Sequence, residues 1–220
     1  MNSSVGSVPL MIRNDKKVYL GDLRKYFSIV FMNAQNLHNP YHNFRHMLHV
    51  TWLCYLACIY YMDKLSPREM RNLLIAALFH DFDHSGMMGN DDLNIARAIR
   101  GMEKYLLPED HPFANKIAEI MRATEFPHKT SSQMLPLLQQ IIRDADMAQS
   151  MSVAWIQHVI FGLALEWNKK PIDVLKAELP FHETLKFYTD WGKSMFPPKV
   201  IQQKTREVRE LIEILIEGAS

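Results

Sequence analysis

The chain has 220 residues, 48% of them hydrophobic, and 25 basic against 24 acidic side chains give a formal net charge of +1. That length supports one substantial domain with a single core. The balanced charge excludes the broad electropositive footprint of a nucleic-acid binder, so any phosphate recognition must be local.

Gly is scarce at 8 residues, no hairpin dipeptides separate alternating runs, and most segments repeat apolar residues at i, i+3 and i+4. The expected fold is therefore all-α, a single compact multi-helix bundle. The start, MNSSVGSVPLMIRNDKK, has no basic segment followed by an apolar one. Residues 1–18 are read as a flexible N-terminal arm and not a signal peptide, with the domain occupying 19–220. A first helix is expected from Gly21 to Gln35, broken before Asn39-Pro40 because a residue preceding proline disfavours helix. A second spans Asn43 to Asp63. It holds Cys54 and Cys58, read as buried thiols in a reducing, cytoplasmic setting. Its longest apolar run, VTWLCYLACIYY, falls short of the roughly 20 residues needed to cross a bilayer. Ser66-Pro67-Arg68-Glu69 is a capping box with proline at the first helical position, opening a third, almost wholly apolar helix up to His80. Further helices are expected over 91–106, 112–124, 133–150, 152–168, 171–193 and 198–217.

Three polar groups interrupt this pattern. In NPYHNFRHMLHV, His42, His46 and His49 recur at helical spacing and lie close to one helix face. His80, Asp81, Asp83 and His84 end the apolar third helix, where ionisable groups beside a core are costly unless paired or bound to an ion. Imidazoles and carboxylates without thiolates suit Zn, Mn, Mg, Fe or Co in a non-structural site. A solvated helix end, with the histidines near the C-terminal dipole, is the competing reading. In QQIIRDADMAQSM, Arg143, Asp144 and Asp146 break a further apolar stripe, for which a surface salt bridge is the plain alternative.

Tyr41-His42-Asn43-Phe44-Arg45-His46 resembles the YHNxxH motif, and His80-Asp81-Phe82-Asp83-His84-Ser85-Gly86 resembles HDxDHxG, of the HD-domain metal-dependent phosphohydrolases. The chain is most similar to the cyclic nucleotide phosphodiesterase-like branch, with Ser85 where proline is usual. The close match covers about 39–50 and 73–86, and ADMA gives a looser one at 141–149. This resemblance implies one or two divalent ions, the first held by His46, His80, Asp81 and Asp146, with Asp144 as alternative because DAD leaves the register ambiguous. It implies that Asp81 also bridges to a second, water-rich site near Asn94 and Thr124-Glu125. Hydroxide held by the ions is then the nucleophile, and His42 is the general acid. His84 is expected to bond metal-bound water or phosphate, and Asp83 to orient neighbouring imidazoles. His49 carries no role beyond support, and His111 and His128, each beside a proline, are expected in loops.

The expected activity is hydrolysis of a phosphoester in a small-molecule nucleotide, favouring a cyclic nucleotide or other phosphodiester. A nucleotide phosphomonoesterase, a di-iron oxygenase and a non-catalytic nucleotide sensor are the alternatives on the same fold. Phosphodiesterase catalytic domains are longer, and their later helices carry a purine-gripping glutamine and a hydrophobic clamp. Gln202 and Gln203 are expected on a solvated face instead. Phe126, Trp155, Trp167, Phe181, Trp191 and Phe196 are the available base-stacking surfaces, most of them expected in the core.

Overall fold

A computed structural model describes residues 7–89 and 91–218. Among them are eleven α-helices and no strand: α1 (Val8–Arg13), α2 (Arg24–Asn33), α3 (Phe44–Tyr60), α4 (Pro67–Phe79), α5 (Asp91–Tyr105), α6 (Ala114–Arg122), α7 (Leu137–Met147), α8 (Gly162–Glu166), α9 (Pro171–Thr184), α10 (Asp190–Met195) and α11 (Pro198–Glu217). A π-helical segment, Ile156–Phe161, runs directly into α8. None of these helices is by itself long and apolar enough to cross a membrane.

Helix α4 is the axle. Every residue from Met70 to Phe79 is buried, and α2, α3, α5, α6 and α7 pack around it. Its start is fixed as expected: Ser66 accepts the Glu69 amide while the Glu69 carboxylate accepts the Ser66 amide. Arg71 on α4 is buried and reaches Asp110 with two hydrogen bonds of 2.8 and 2.7 Å. Tyr26 on α2 donates to the same carboxylate at 2.7 Å, and Arg68 also pairs with it. A fully buried carboxylate is stable only with such a complement of donors. A second apolar cluster joins Trp155, Val159, Ile160 and Leu163 to Val174 and Leu175 of α9 and Val208 of α11.

The N-terminal segment departs from the expected arm over residues 8–18. Met11 is fully buried, as is Val18 nearly so, and Asn14 in left-handed backbone ties the turn by donating to the Tyr19 and Gly21 carbonyls. The segment is too short for helical periodicity to reveal, yet its few apolar side chains are enough to anchor it. Residues 1–6 of the expected arm lie outside the described residues.

Other boundaries moved for local reasons. Helix α7 begins at Leu137 rather than 133 because Leu135, before Pro136, is extended. The expected helix over 171–193 breaks at Leu185, and the chain re-enters helix α10 with Thr189 as its cap. Cys54 and Cys58 are free and buried.

Candidate metal and phosphoester site

Asn43 explains the spacing of the first motif. It caps α3, its side chain accepting the amides of Arg45 and His46, so His42 stands just outside the helix and His46 lies in its first turn. The loop before α3 is tied to the end of α4: Asn36 donates to the carbonyls of His42 and Asp81, and Asn39 donates to the His84 carbonyl, all within 2.9 Å. The two motifs are thus held together through their backbones before any side chain meets.

Four donor atoms converge where α3, α4 and α7 approach. His46 Nε2 is 3.4 Å from Asp81 Oδ2 and 3.0 Å from Asp146 Oδ1. His80 Nε2 is 3.4 Å from Asp81 Oδ2 and 3.6 Å from Asp146 Oδ1. Ligands bonded to a divalent ion at about 2.1 Å lie roughly 3.0 to 3.4 Å apart for octahedral to tetrahedral arrangements; three of these separations fall in that range and the fourth, 3.6 Å, lies just beyond it.

The far side of each ring fixes its tautomer. His80 Nδ1 donates to the Ala77 carbonyl at 2.7 Å, and His46 Nδ1 donates to the Gln149 side-chain oxygen. Nε2 of each ring is therefore the atom turned toward the carboxylates, and its lone pair is the one available to an ion. His80 Nε2 and Asp81 Oδ2 are buried without a hydrogen-bond partner, a cost that a cation at their centre removes. With no ion bound, the same Nε2 atoms carry protons instead: burial would lower His80, but the two carboxylates outweigh it and hold His80 well above its ordinary value. Burial would raise Asp81 and Asp146, but the positive imidazoles outweigh it and hold both well below the ordinary range, so an ion would take the place of those protons. The donor set fits a divalent ion.

Asp144 faces away. Its carboxylate accepts the amides of Tyr188 and Thr189 and the Thr189 hydroxyl, at 2.7 to 3.1 Å, pinning α7 to the start of α10. Arg143 does not form the surface ion pair considered above; it is buried and donates to the Ala123 and Thr130 carbonyls and to Ser132 Oγ.

His42 adjoins this cluster, its ring 6.0 Å from that of His46. Its Nδ1 is 2.5 Å from Glu166 Oε1, while Glu166 Oε2 accepts the amides of Tyr41 and His42 at 2.9 and 3.0 Å. Burial would raise the Glu166 carboxyl, and these bonds together hold it below its usual value. Glu166 escaped the sequence reading because its partners lie more than 120 residues upstream. Its only signal was a lone acid in the apolar run FGLALEW. Gly162, one turn earlier, makes the contact possible: a Cβ there would sit 3.2 Å from the Pro40 carbonyl and 3.3 Å from Tyr41 Cβ.

His84 stacks on His42 with ring centroids 3.8 Å apart. Its Nδ1 accepts the Gly86 amide at 3.0 Å, and its Nε2 is 2.9 Å from Asn94 Nδ2. His42, His84 and Glu166 also bring donor atoms close together, with Glu166 occupying His42 Nδ1, the Gly86 amide occupying His84 Nδ1 and the two rings stacked face to face. Asp83 corrects an expectation. In left-handed backbone, it accepts the Gln35 amide at 2.7 Å and so orients the preceding loop, not an imidazole.

At the second metal position expected from the sequence, Asn94 is bonded to Ser85 and His84, Thr124 donates to the Met121 carbonyl, and Glu125 pairs with Lys129. His49 is packed beside the cluster with Nε2 unpartnered, and desolvation pushes it down to about 4. His111 is exposed in a 3-10 turn, and His128 donates to the Glu125 carbonyl in a loop.

Above the cluster lies a cavity of about 430 Å³, lined on one side by His42, His46, Asp81, His84 and Asp146 and on the other by Phe126, Met147, Trp167, Glu178 and Phe181. Three of the six aromatic residues considered above reach it; Trp155 and Trp191 are core, and Phe196 stacks on Phe187. Gln202 and Gln203 are exposed on α11.

Residues 41–160 match the family model described as 3'5'-cyclic nucleotide phosphodiesterase. Over 79 residues the chain is 37% identical to the high affinity cGMP-specific 3',5'-cyclic phosphodiesterase 9A of Mus musculus and 35% identical to that of Homo sapiens. It is 32% identical over 76 residues to cGMP-specific 3',5'-cGMP phosphodiesterase 3 of Dictyostelium discoideum. These segments cover 33%, 33% and 34% of this chain, and only 14%, 12% and 16% of the respective relatives.

Proposed function

As the chain belongs to the 3'5'-cyclic nucleotide phosphodiesterase family, a family of metal-dependent hydrolases, we propose that it hydrolyses the phosphodiester of a 3',5'-cyclic nucleotide. The observation that carries this reading is the convergence of four donor atoms, two of them buried without partners, beside a His42–Glu166 pair at the floor of one cavity. His46, His80, Asp81 and Asp146 would hold the first divalent ion; a second, beyond Asp81, would rest mostly on water. Bound there, a divalent ion supplies Lewis acidity toward the phosphoryl group and lowers the pKa of coordinated water.

The chain's own residues do the remaining work. Glu166 occupies His42 Nδ1, which leaves Nε2 for the cavity. In the reaction, a water oxygen bonds to phosphorus as that water gives up a proton to solvent, the ester P–O bond breaks, and the leaving ribose oxygen takes a proton from Nε2 of the His42 imidazolium, which solvent then restores. Stacking of His84 on His42 limits ring rotation, so proton and leaving oxygen meet in one orientation. The apolar far wall excludes water and offers flat faces to a base.

The relatives named for cGMP make the guanine nucleotide the first to assay. A panel of cyclic nucleotides, 5'-monophosphates and dinucleotides, run on Mn- and Zn-loaded protein, tests the proposal. Cleavage of a cyclic nucleotide to its monophosphate supports it. Turnover of monophosphates alone would favour the phosphomonoesterase reading, which the same donor set could serve.

A further inference from the structure

A second, larger concavity lies away from the metal cluster. Helices α9, α10 and α11 border an open groove of about 1090 Å³, which shares no lining residue with the cavity above His46 and Asp81. Its charge is one-sided. Lys186, Lys193, Arg206 and Arg209 line it against a single acid, Glu183, in a chain whose 25 basic and 24 acidic residues otherwise balance. Glu183 is already matched by Arg209 at 2.9 Å. The field of Lys193 reaches the buried Asp144, whose oxygens accept the Tyr188 and Thr189 amides. Lys186 and Arg206 are exposed and have no hydrogen bond or ion pair among the described residues. Cations gathered on the walls of a groove focus an attractive potential on anions.

Between these cations the lining is apolar. Phe187 stacks on Phe196 with ring centroids 4.6 Å apart, and Tyr188 and Ile201 add half-buried surface. The side-chain amides of Gln140 and Gln202 complete the groove. Gln140 Nε2 donates to the Leu135 carbonyl, which leaves its side-chain oxygen as an acceptor. On α11, Gln202, Arg206 and Arg209 recur at intervals of four and three and so share one helix face. Small-molecule sites measure roughly 300 to 1000 Å³ and combine apolar surface with a few polar groups. The groove has that character at the upper end of that size.

We infer that this groove is a second ligand site, for a nucleoside di- or triphosphate, separate from the catalytic cavity. Arginine takes a phosphate as a planar fork and lysine takes it as a point charge. Lys186, Lys193 and Arg206 come from three different segments, so a row of two or three phosphates engages them together where a single phosphate cannot. The apolar lining then receives a flat ring, and the glutamine amides, holding both donors and acceptors, match its polar edge. Inorganic polyphosphate would satisfy the cations and leave the apolar surface bare. An acidic peptide would bring charge without a flat ring.

Equilibrium binding of ATP, GTP, inorganic tripolyphosphate, adenosine and an oligoglutamate peptide tests this on the metal-loaded full chain and on Lys186→Glu, Arg206→Glu and Asp146→Asn. The better of the two nucleotides is expected to bind at least threefold more tightly than tripolyphosphate and at least a hundredfold more tightly than adenosine or the peptide. Each charge reversal weakens it at least tenfold, while metal content and the urea midpoint stay those of the parent chain. Asp146→Asn, which disturbs the metal cavity alone, leaves nucleotide affinity within twofold. Because binding is read without turnover, the result stands whether or not a cyclic nucleotide is cleaved. Affinity that survives both reversals overturns the inference, as does affinity lost in Asp146→Asn alone, which would put the phosphates on the catalytic ions. Tripolyphosphate or peptide bound as tightly as the nucleotides, or no nucleotide bound at all, overturns it equally.

Discussion

Replacing Glu178 by glutamine should make the protein more stable at alkaline pH than at acidic pH, relative to the parent chain. Glu178 Oε2 is buried without a hydrogen-bond donor, and folding raises the carboxyl from an ordinary 4.5 to about 7. Between those values the native state binds more protons than the unfolded one, so this side chain is tolerated best at low pH. Its contribution falls as pH rises through the window and levels off above about 7. With 1.36 kcal/mol per unit, the full penalty is about 3.4 kcal/mol, of which about 2 kcal/mol develops between pH 5.5 and 8.5. Glutamine keeps the shape and has no charge to desolvate. His182, beside it, carries its proton on the backbone, and burial keeps the Tyr41 phenol protonated across the range. Both are common to the two proteins and cancel. Urea unfolding of the metal-free chains at the two pH values measures the difference directly. A Glu178→Gln advantage that is the same at pH 5.5 and 8.5 would refute the claim that this carboxyl is buried without a partner.

His42→Ala should lower kcat for cyclic-nucleotide hydrolysis by about 10² to 10⁴ while bound metal, measured by elemental analysis, is unchanged; Glu166→Gln should cut the rate less, through misplacement of the same ring. Asp110→Ala, which strands the buried Arg71 guanidinium, should cost about 3 to 5 kcal/mol in urea unfolding. Burial would raise the Asp110 carboxyl, but its bonds from Arg71, Tyr26 and Arg68 outweigh that and depress it. Its stabilisation is therefore complete above the unfolded value near 3.8 and lost as pH falls below it. Gly162→Ala should destabilise by about 1 to 3 kcal/mol and depress activity out of proportion, because the added methyl pushes against the loop that carries His42.

The expected metal ligands were legible in the sequence because each sits in a short motif whose chemistry clashes with its setting. His80 and Asp81 end a run of apolar residues, and Asp146 interrupts another. The ambiguity between Asp144 and Asp146 could not be resolved there, since the deciding partners, the amides of Tyr188 and Thr189, are more than 40 residues downstream. Those same amides explain the missed break in the helix expected over 171–193: the chain leaves α9 at Leu185, and Asp144 holds its re-entry into α10. Glu166 and Gln149 were hidden for a related reason. Each is a single polar residue in a helix of ordinary pattern, and only the packing of that helix against distant segments gives it work. Asp83, by contrast, looked functional through proximity to His80 and His84, yet left-handed backbone turns it toward Gln35.

The central claim is that His46, His80, Asp81 and Asp146 hold an ion that phosphodiester cleavage requires. The most direct measurement is stoichiometric metal content, determined together with cGMP hydrolysis on the same preparations of the parent chain, Asp146→Asn and Asp144→Asn. The account predicts that Asp146→Asn loses both metal and turnover, whereas Asp144→Asn loses stability but keeps its metal. Full metal content and activity in Asp146→Asn would contradict it.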